Sequence, residues 1–176
     1  MTVMLVQNAF DIIRARTNDT GALIFTDTEL MHYVNMGITV VANMMIKEGN
    51  PFTVKSVSVP STTGLAIPDD FHSLMPGETA YISNGKINLD GAISGSKDVR
   101  YFSSPTLVSD VGDDIPFPSA YVTSVINAAV EFAIMRIGKD VSQEREGHVG
   151  TGNMTAARQT PLGASMSGGG NSAGQG

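Results

Sequence analysis

Apolar residues at the start of the chain recur at helical spacing. Val3, Val6, Phe10 and Ile13 lie three or four apart, with Asp11, Arg14 and Arg16 largely off that stripe. The pattern predicts a first helix over about 3–17, closed by the turn-rich Asn18-Asp19-Thr20-Gly21. A second helix opens with the capping box Thr26-Asp27-Thr28-Glu29, in which the Thr26 hydroxyl accepts from the Glu29 amide while the Glu29 carboxylate reaches back. Leu30, Val34, Val41 and Met45 give it a core face, and Gly49 followed by Pro51 ends it near residue 48. Met31, Met36, Met44 and Met45 read first as core filling and second as an adaptable groove. The two readings merge in an oligomer, because this helix is apolar over more than one face and the second face would need a neighbour.

After Pro51 the period changes from about 3.6 to 2. Phe52, Val54, Val57 and Val59 alternate with Thr53, Lys55, Ser56 and Ser58 as in a strand, with one slip between Val54 and Val57 that suggests a bulge. Residues 65–67 offer a partner strand. Residues 81–89 form a hairpin with Asn84-Gly85 at its tip, a pair that tolerates positive φ at both turn positions. Residues 99–102 and 106–108 complete a small antiparallel sheet.

A third helix follows Pro116-Phe117-Pro118, with Ser119 as N-cap and a stripe of Val122, Val125, Ala129, Phe132 and Met135 or Arg136 running to about Lys139. Gly138 weakens its last turn. The expected fold class is α+β: mainly an α-helical bundle with a small antiparallel β insertion and an extended Gly-rich C-terminal tail. Residues 1–146 are expected as one domain, with helices at about 3–17, 27–48 and 119–139 and the β insertion at about 52–108. Residues 147–176 are expected as the extended tail. No internal repeat at solenoid periods is visible.

Composition sharpens the view of that tail. It holds nine of the chain's glycines, and Val149 is its only β-branched aliphatic residue. Such a segment cannot offset its own chain entropy by burial, so an ordering surface is expected outside the chain. All seventeen acids lie in residues 1–146 with ten of the eleven bases, so the body carries −7 and the tail, through Arg158, +1 of the net −6. An acidic body without a basic stripe argues against wrapping nucleic acid, although an acidic pore could pass it without sticking. The chain has no cysteine, which excludes disulfides, thiolate metal sites and a cysteine nucleophile. The longest strongly apolar run, 38–46, is too short for a bilayer, and the N-terminus lacks signal-peptide order, so a soluble protein without a membrane partner is expected.

Candidate chemistry is sparse. Asp69-Asp70 and Asp113-Asp114, with Asp110 nearby, are the acid-rich sites, but Asp110-Val-Gly-Asp-Asp lacks the alternating oxygen ligands of a calcium loop and Asp69-Asp70 follows Pro68 as a turn would. His32, His72 and His148 are scattered, without zinc-site spacing. No serine sits in a Gly-x-Ser-x-Gly elbow, and Gly95-Ser96 and Gly168-Gly169 lack the context of a phosphate cradle. No catalytic residue, cofactor or metal is expected. A cell-wall hydrolase using Asp69 or Glu78 as acid would need a second carboxylate across a cleft.

Three motifs in order carry a resemblance. They are the capped helix start Phe25-Thr26-Asp27-Thr28-Glu29-Leu30-Met31-His32-Tyr33-Val34-Asn35, the strand closure Ile67-Pro68-Asp69-Asp70-Phe71, and the helix introduced by Ile115-Pro116-Phe117-Pro118-Ser119-Ala120-Tyr121 and continued by Ala128-Ala129-Val130-Glu131-Phe132-Ala133. Over about 3–140 this order resembles the head-to-tail adaptor (connector, or tail tubular) proteins of tailed bacteriophages. The resemblance implies a homo-oligomeric ring of roughly twelve subunits, docked beneath the portal protein, bearing the tail or nozzle protein and passing genomic DNA without specific binding. It implies assembly in the host cytoplasm, residence at the virion neck, and a C-terminal segment that enters clefts of the portal. The alternative is another virion binding module, a tail-completion or head-decoration protein that uses the hairpin at Asn84-Gly85.

On the adaptor reading, Met154, Leu162 and Met166 are the tail's sizeable apolar anchors and Arg158 its only full charge. Docking should then rest on backbone hydrogen bonds and the close approach glycine permits, and should depend little on salt.

Overall fold

A computed structural model describes residues 4–91 and 93–156, with side chains through residue 138. The chain divides into two units, Met1–Arg136 and Ile137–Gly176. The element order is α1 (Val6–Arg16), α2 (Asp27–Lys47), a 3-10 turn at Pro51–Thr53, β1 (Val54–Pro60), β2 (Leu65–Ala66), β3 (Phe71–Leu74), β4 (Ala80–Ser83), β5 (Lys86–Leu89), β6 (Ser96–Ser103) and α3 (Ser119–Ala156).

The helices begin and end for local reasons. In α1 the buried residues are Val6, Ala9, Phe10 and Ile13, the stripe of the sequence pattern from Val6 onward. Its first N–H groups, which a helix leaves without internal acceptors, are taken up by the chain before α3: Val6 donates to the Asp113 carbonyl at 3.0 Å and Gln7 to that of Val111 at 3.0 Å. In α2 the Thr26 and Glu29 capping box is complete in both directions. Its buried face is Leu30, Val34, Gly37, Ile38, Val41, Ala42 and Met45.

The expectation of a mainly helical bundle with a small β insertion is corrected. The described residues hold three α-helices and two three-stranded antiparallel sheets, a mixed α+β fold. One sheet has the order β1, β6, β3, and the other β2, β5, β4. The β region has a core of its own, Val59, Ile87, Leu89 and Val99, with Val57, Leu65, Ile67, Phe71, Leu74, Ala80 and Ile93 packed around it. Short strands in which Ser, Thr and Lys alternate with single apolar residues look minor in sequence, yet strands from two sheets pool those residues into one cluster.

Several boundaries also move. Strand β1 pairs with β6 in continuous register from Val54 with Phe102 to Pro60 with Ser96, so the bulge expected between Val54 and Val57 is absent. The irregularity lies in β3, between Phe71 and Ser73. Residues 106–108, expected as a strand, are irregular. Helix α3 runs to Ala156, past the end expected near Lys139 and into the segment expected as extended from Gly147. No proline interrupts the sequence between Pro118 and Pro161. Residues 157–176 lie outside the described residues.

The stretch Ser119–Gly138 of α3 is long and apolar enough to cross a membrane by length and composition, which the sequence reading missed. A core helix passes the same test. Here Val122, Val125, Ile126, Ala129, Val130 and Ala133 are buried within the fold.

Candidate functional site

An open apolar surface of unit Met1–Arg136 is the second face of α2. Met36, Val40 and Met44 recur at intervals of four on the side away from the core, so they form one ridge along the helix. Val40 is 47% exposed and Met44 39%, while Met45 is fully buried. The methionines therefore divide between the two roles: Met45 fills the core and Met44 faces outward.

Leu107 stands beside that ridge, 53% exposed. It is held there by Asn35, whose side-chain amide donates to the Val108 carbonyl at 2.9 Å and whose oxygen accepts from the Val108 N–H at 2.9 Å. This two-way bond fixes an irregular segment to a helix as a strand partner would. His32, Asn35, Met36, Thr39, Val40, Leu107 and Phe132 line an open groove of about 390 Å³. On the other flank of Leu107, Thr39, Ala42, Asn43, Ile46, His72, Ser104 and Pro105 line a second depression of about 230 Å³. Leu107 is thus an apolar knob between two shallow grooves.

The acid-rich sites are engaged in holding loops. Asp113 accepts from the backbone N–H groups of Ser109 at 2.8 Å and Asp110 at 2.9 Å, and these bonds hold its carboxyl below the ordinary value despite partial desolvation. Asp70 accepts from Lys55 and, at 3.0 Å, from the Tyr101 hydroxyl. The Lys55 bond, joined by that of Tyr101, lowers the Asp70 pKa against desolvation, while burial and then the Asp70 carboxylate raise that of Tyr101. Glu78, nearly buried, pairs with Arg100 at 2.8 Å. Asp69 lies in the turn in which Phe71 N–H donates to the Pro68 carbonyl at 3.0 Å. Among the described residues, no group of three or more His, Asp or Glu is placed to hold a metal ion.

His32 lies in the α2 groove with its ring 6.2 Å from that of Tyr33, and His72 lies 3.3 Å through Nδ1 from Ser73 Oγ. His148 is in the helical backbone of α3, its side chain outside the description.

Of the residues singled out for partner contact, Asn84 and Gly85 come together at the hairpin tip with φ of 53° and 70°, the left-handed pair that this turn requires. Met154 lies in the backbone of α3, while Arg158, Leu162 and Met166 lie outside the described residues. Sequence reasoning missed Leu107, Asn35 and the exposure of Val40. The signal available was the second apolar stripe on α2, without the segment that flanks it.

The chain matches no protein-family model and no curated protein.

Proposed function

We propose that the protein is a structural head-to-tail adaptor of a tailed-phage particle: subunits assemble in a ring beneath the portal, present a platform to the tail or nozzle, and leave a channel through which the genome passes. The observation that carries this reading is the apolar strip formed by exposed Val40 and Met44 and half-buried Met36 on α2, with exposed Leu107 beside it. A ring needs each subunit to offer a neighbour such a surface, and an apolar strip of this kind on a folded domain calls for a partner. The reading is further supported by the motif order of the adaptor proteins, whose features have structural work in this fold. The capping box starts α2, the Pro68 turn leads into β3, and Ile115 and Phe117 are buried ahead of α3.

The acidic body suits the channel. With a net charge of −7 on residues 1–146 repeated around a ring, an acidic lumen would repel the phosphate backbone and let DNA slide. No chemical step is required; the function is geometry.

Negative-stain images of the purified protein, alone and mixed with portal, test the proposal. Rings are expected in at least the mixture, because a portal can template subunits that are monomeric alone. Persistent monomers with portal present would overturn it.

A second reading, another virion binding module that contacts its partner through the hairpin, is favoured by the exposure of Tyr81 and Ile82 beside the Asn84-Gly85 turn. Deleting 157–176 separates the two. Lost portal binding with an intact fold fits the adaptor, whereas retained binding that is lost on changing Tyr81 fits the hairpin module.

A further inference from the structure

Of the outer strands in the two sheets, β4 carries the least protection against pairing with another chain. The edge strand β1 carries Lys55 and ends in Pro60, β3 has a register irregularity after Phe71, and β2 is only two residues long. These are devices that blunt edges. Strand β4, Ala80-Tyr81-Ile82-Ser83, has no charge, no proline and no irregularity, and it pairs with β5 on one side only. Tyr81 is 51% exposed and Ile82 48%.

The direction of its free hydrogen-bonding groups can be worked out. Asp90 N–H donates to the Thr79 carbonyl at 2.9 Å, so Thr79 and Asp90 are a hydrogen-bonded pair. Such pairs alternate in an antiparallel ladder, so Tyr81 with Asn88 and Ser83 with Lys86 are bonded, while Ala80 with Leu89 and Ile82 with Ile87 are not. The N–H and C=O groups of Ala80 and Ile82 therefore point away from β5, to the open edge.

We propose that this edge pairs with the same edge of a second copy of the chain, antiparallel, with Ala80 bonded to the partner's Ile82 and Ile82 to the partner's Ala80. The register is symmetric and satisfies the outward groups of both residues. It sets Tyr81 opposite the partner's Tyr81 as a non-hydrogen-bonded pair, the close kind in which aromatic side chains stack favourably. Charge permits it: the strand residues that pair are uncharged, Glu78 falls opposite the partner's Asn84, and Lys97, bonded to Thr79 Oγ1, brings a cation to the end of the seam between two acidic bodies. A second copy is the occupant because the edge is self-complementary: in this two-fold register the partner's own Ala80 and Ile82 supply the matching outward groups and Tyr81 meets Tyr81. The inference stands independently of the adaptor reading, since it rests on a different surface.

The absence of native cysteine gives a clean test. Single variants Tyr81→Cys and Ser83→Cys of the full chain are oxidised and run on non-reducing gels. In the proposed register the Tyr81 Cα atoms stand about 4.5 Å apart, within disulfide range. Those of Ser83 are four positions out of step, roughly 14 Å along the strand. Tyr81→Cys should therefore cross-link at least tenfold faster than Ser83→Cys. Adding Ile82→Pro to Tyr81→Cys removes an outward N–H without breaking a bond to β5 and should abolish the cross-link; Ile82→Lys, which keeps the backbone intact, should reduce it strongly with unchanged circular dichroism. Equal rates for the two cysteine variants, no cross-link in either, or a cross-link indifferent to Ile82→Lys would each overturn the proposal.

Discussion

Gly37 in α2 lies directly against Val125 in α3: a Cβ built on Gly37 would stand 2.5 Å from the Val125 carbonyl oxygen and 3.3 Å from its Cγ1. The helices meet here with backbone against side-chain-free backbone, in the middle of both buried stripes. In an isolated helix, Gly to Ala is worth about 1 kcal/mol of stabilisation. At this site the clash is with a main-chain atom that cannot rotate away, so the helices must separate and the packing loss wins. Gly37→Ala should destabilise the fold by about 1–3 kcal/mol. Urea unfolding checks it, with a lower midpoint at unchanged slope; an unchanged or higher midpoint would show that α2 and α3 do not approach this closely.

Asp19 predicts an acid limb of the stability curve. Its side chain is 1% exposed, pairs with Arg14 at 2.8 Å, and accepts from the N–H groups of Leu23, Ile24 and Phe25. Burial pushes the carboxyl up, but the three N–H donors and the Arg14 charge together hold it below the ordinary value of 3.8. A carboxyl with a lowered folded pKa contributes stability that is complete above the unfolded pKa and is lost as pH falls through the folded one. Glu29, Asp70 and Asp113 shift in the same direction, so they share the limb. Thermal unfolding should be nearly flat in this respect above the ordinary carboxylate range, and Tm should fall below about pH 4. Asp19→Asn should lower Tm at neutral pH by on the order of 5 °C and leave a shallower acid limb. A parallel limb in the variant would remove Asp19 from the account.

The hairpin tip gives a smaller effect. Asn84 holds φ of 53° without being glycine. Among non-glycine residues Asn is tolerant of that region, and a β-branched residue is not. Asn84→Val should cost about 1–2 kcal/mol, read by chemical denaturation, while Asn84→Gly should be close to neutral. Equal costs for the two would mean that the turn is not held in this conformation.

These sites also mark what could be read from the sequence. The capping box at Thr26 and Glu29, the core stripes of α1 and α2, and the Asn84-Gly85 turn were legible because each is set by residues within a few positions of one another. The weight of the β region was not legible. Its core joins Val59 and Val99 to Ile87 and Leu89 across two sheets, and local alternation does not record which strands will share a cluster. The α2 groove was half legible. The second stripe of Met36, Val40 and Met44 is a local pattern, but its flank depends on the bonds between Asn35 and Val108, 73 residues apart. Asp19 was read only as part of a turn; a short polar loop gives no sign of which carboxylate will be drawn inside to gather three N–H groups.

The α2 strip offers the most direct test of assembly. Val40 and Leu107 are half exposed in the single subunit, so charged replacements there leave the core untouched and should change stability by less than about 0.5 kcal/mol. If the strip is covered by a neighbour, each charge must be buried unpaired in the assembly, which costs several times more. Val40→Glu and Leu107→Glu should therefore shift sedimentation from ring to monomer, or prevent portal-templated rings, with Tm unchanged. Asn35→Ala acts differently. It leaves the N–H and C=O of Val108 without their partner, so it should lower stability by about 1–3 kcal/mol and weaken assembly together, because Leu107 loses its support. Rings that persist in the Val40→Glu, Leu107→Glu double variant would place the subunit contact elsewhere on the molecule. Loss of assembly by Asn35→Ala alone, with no effect of the charged pair, would trace it to the fold and not to the strip.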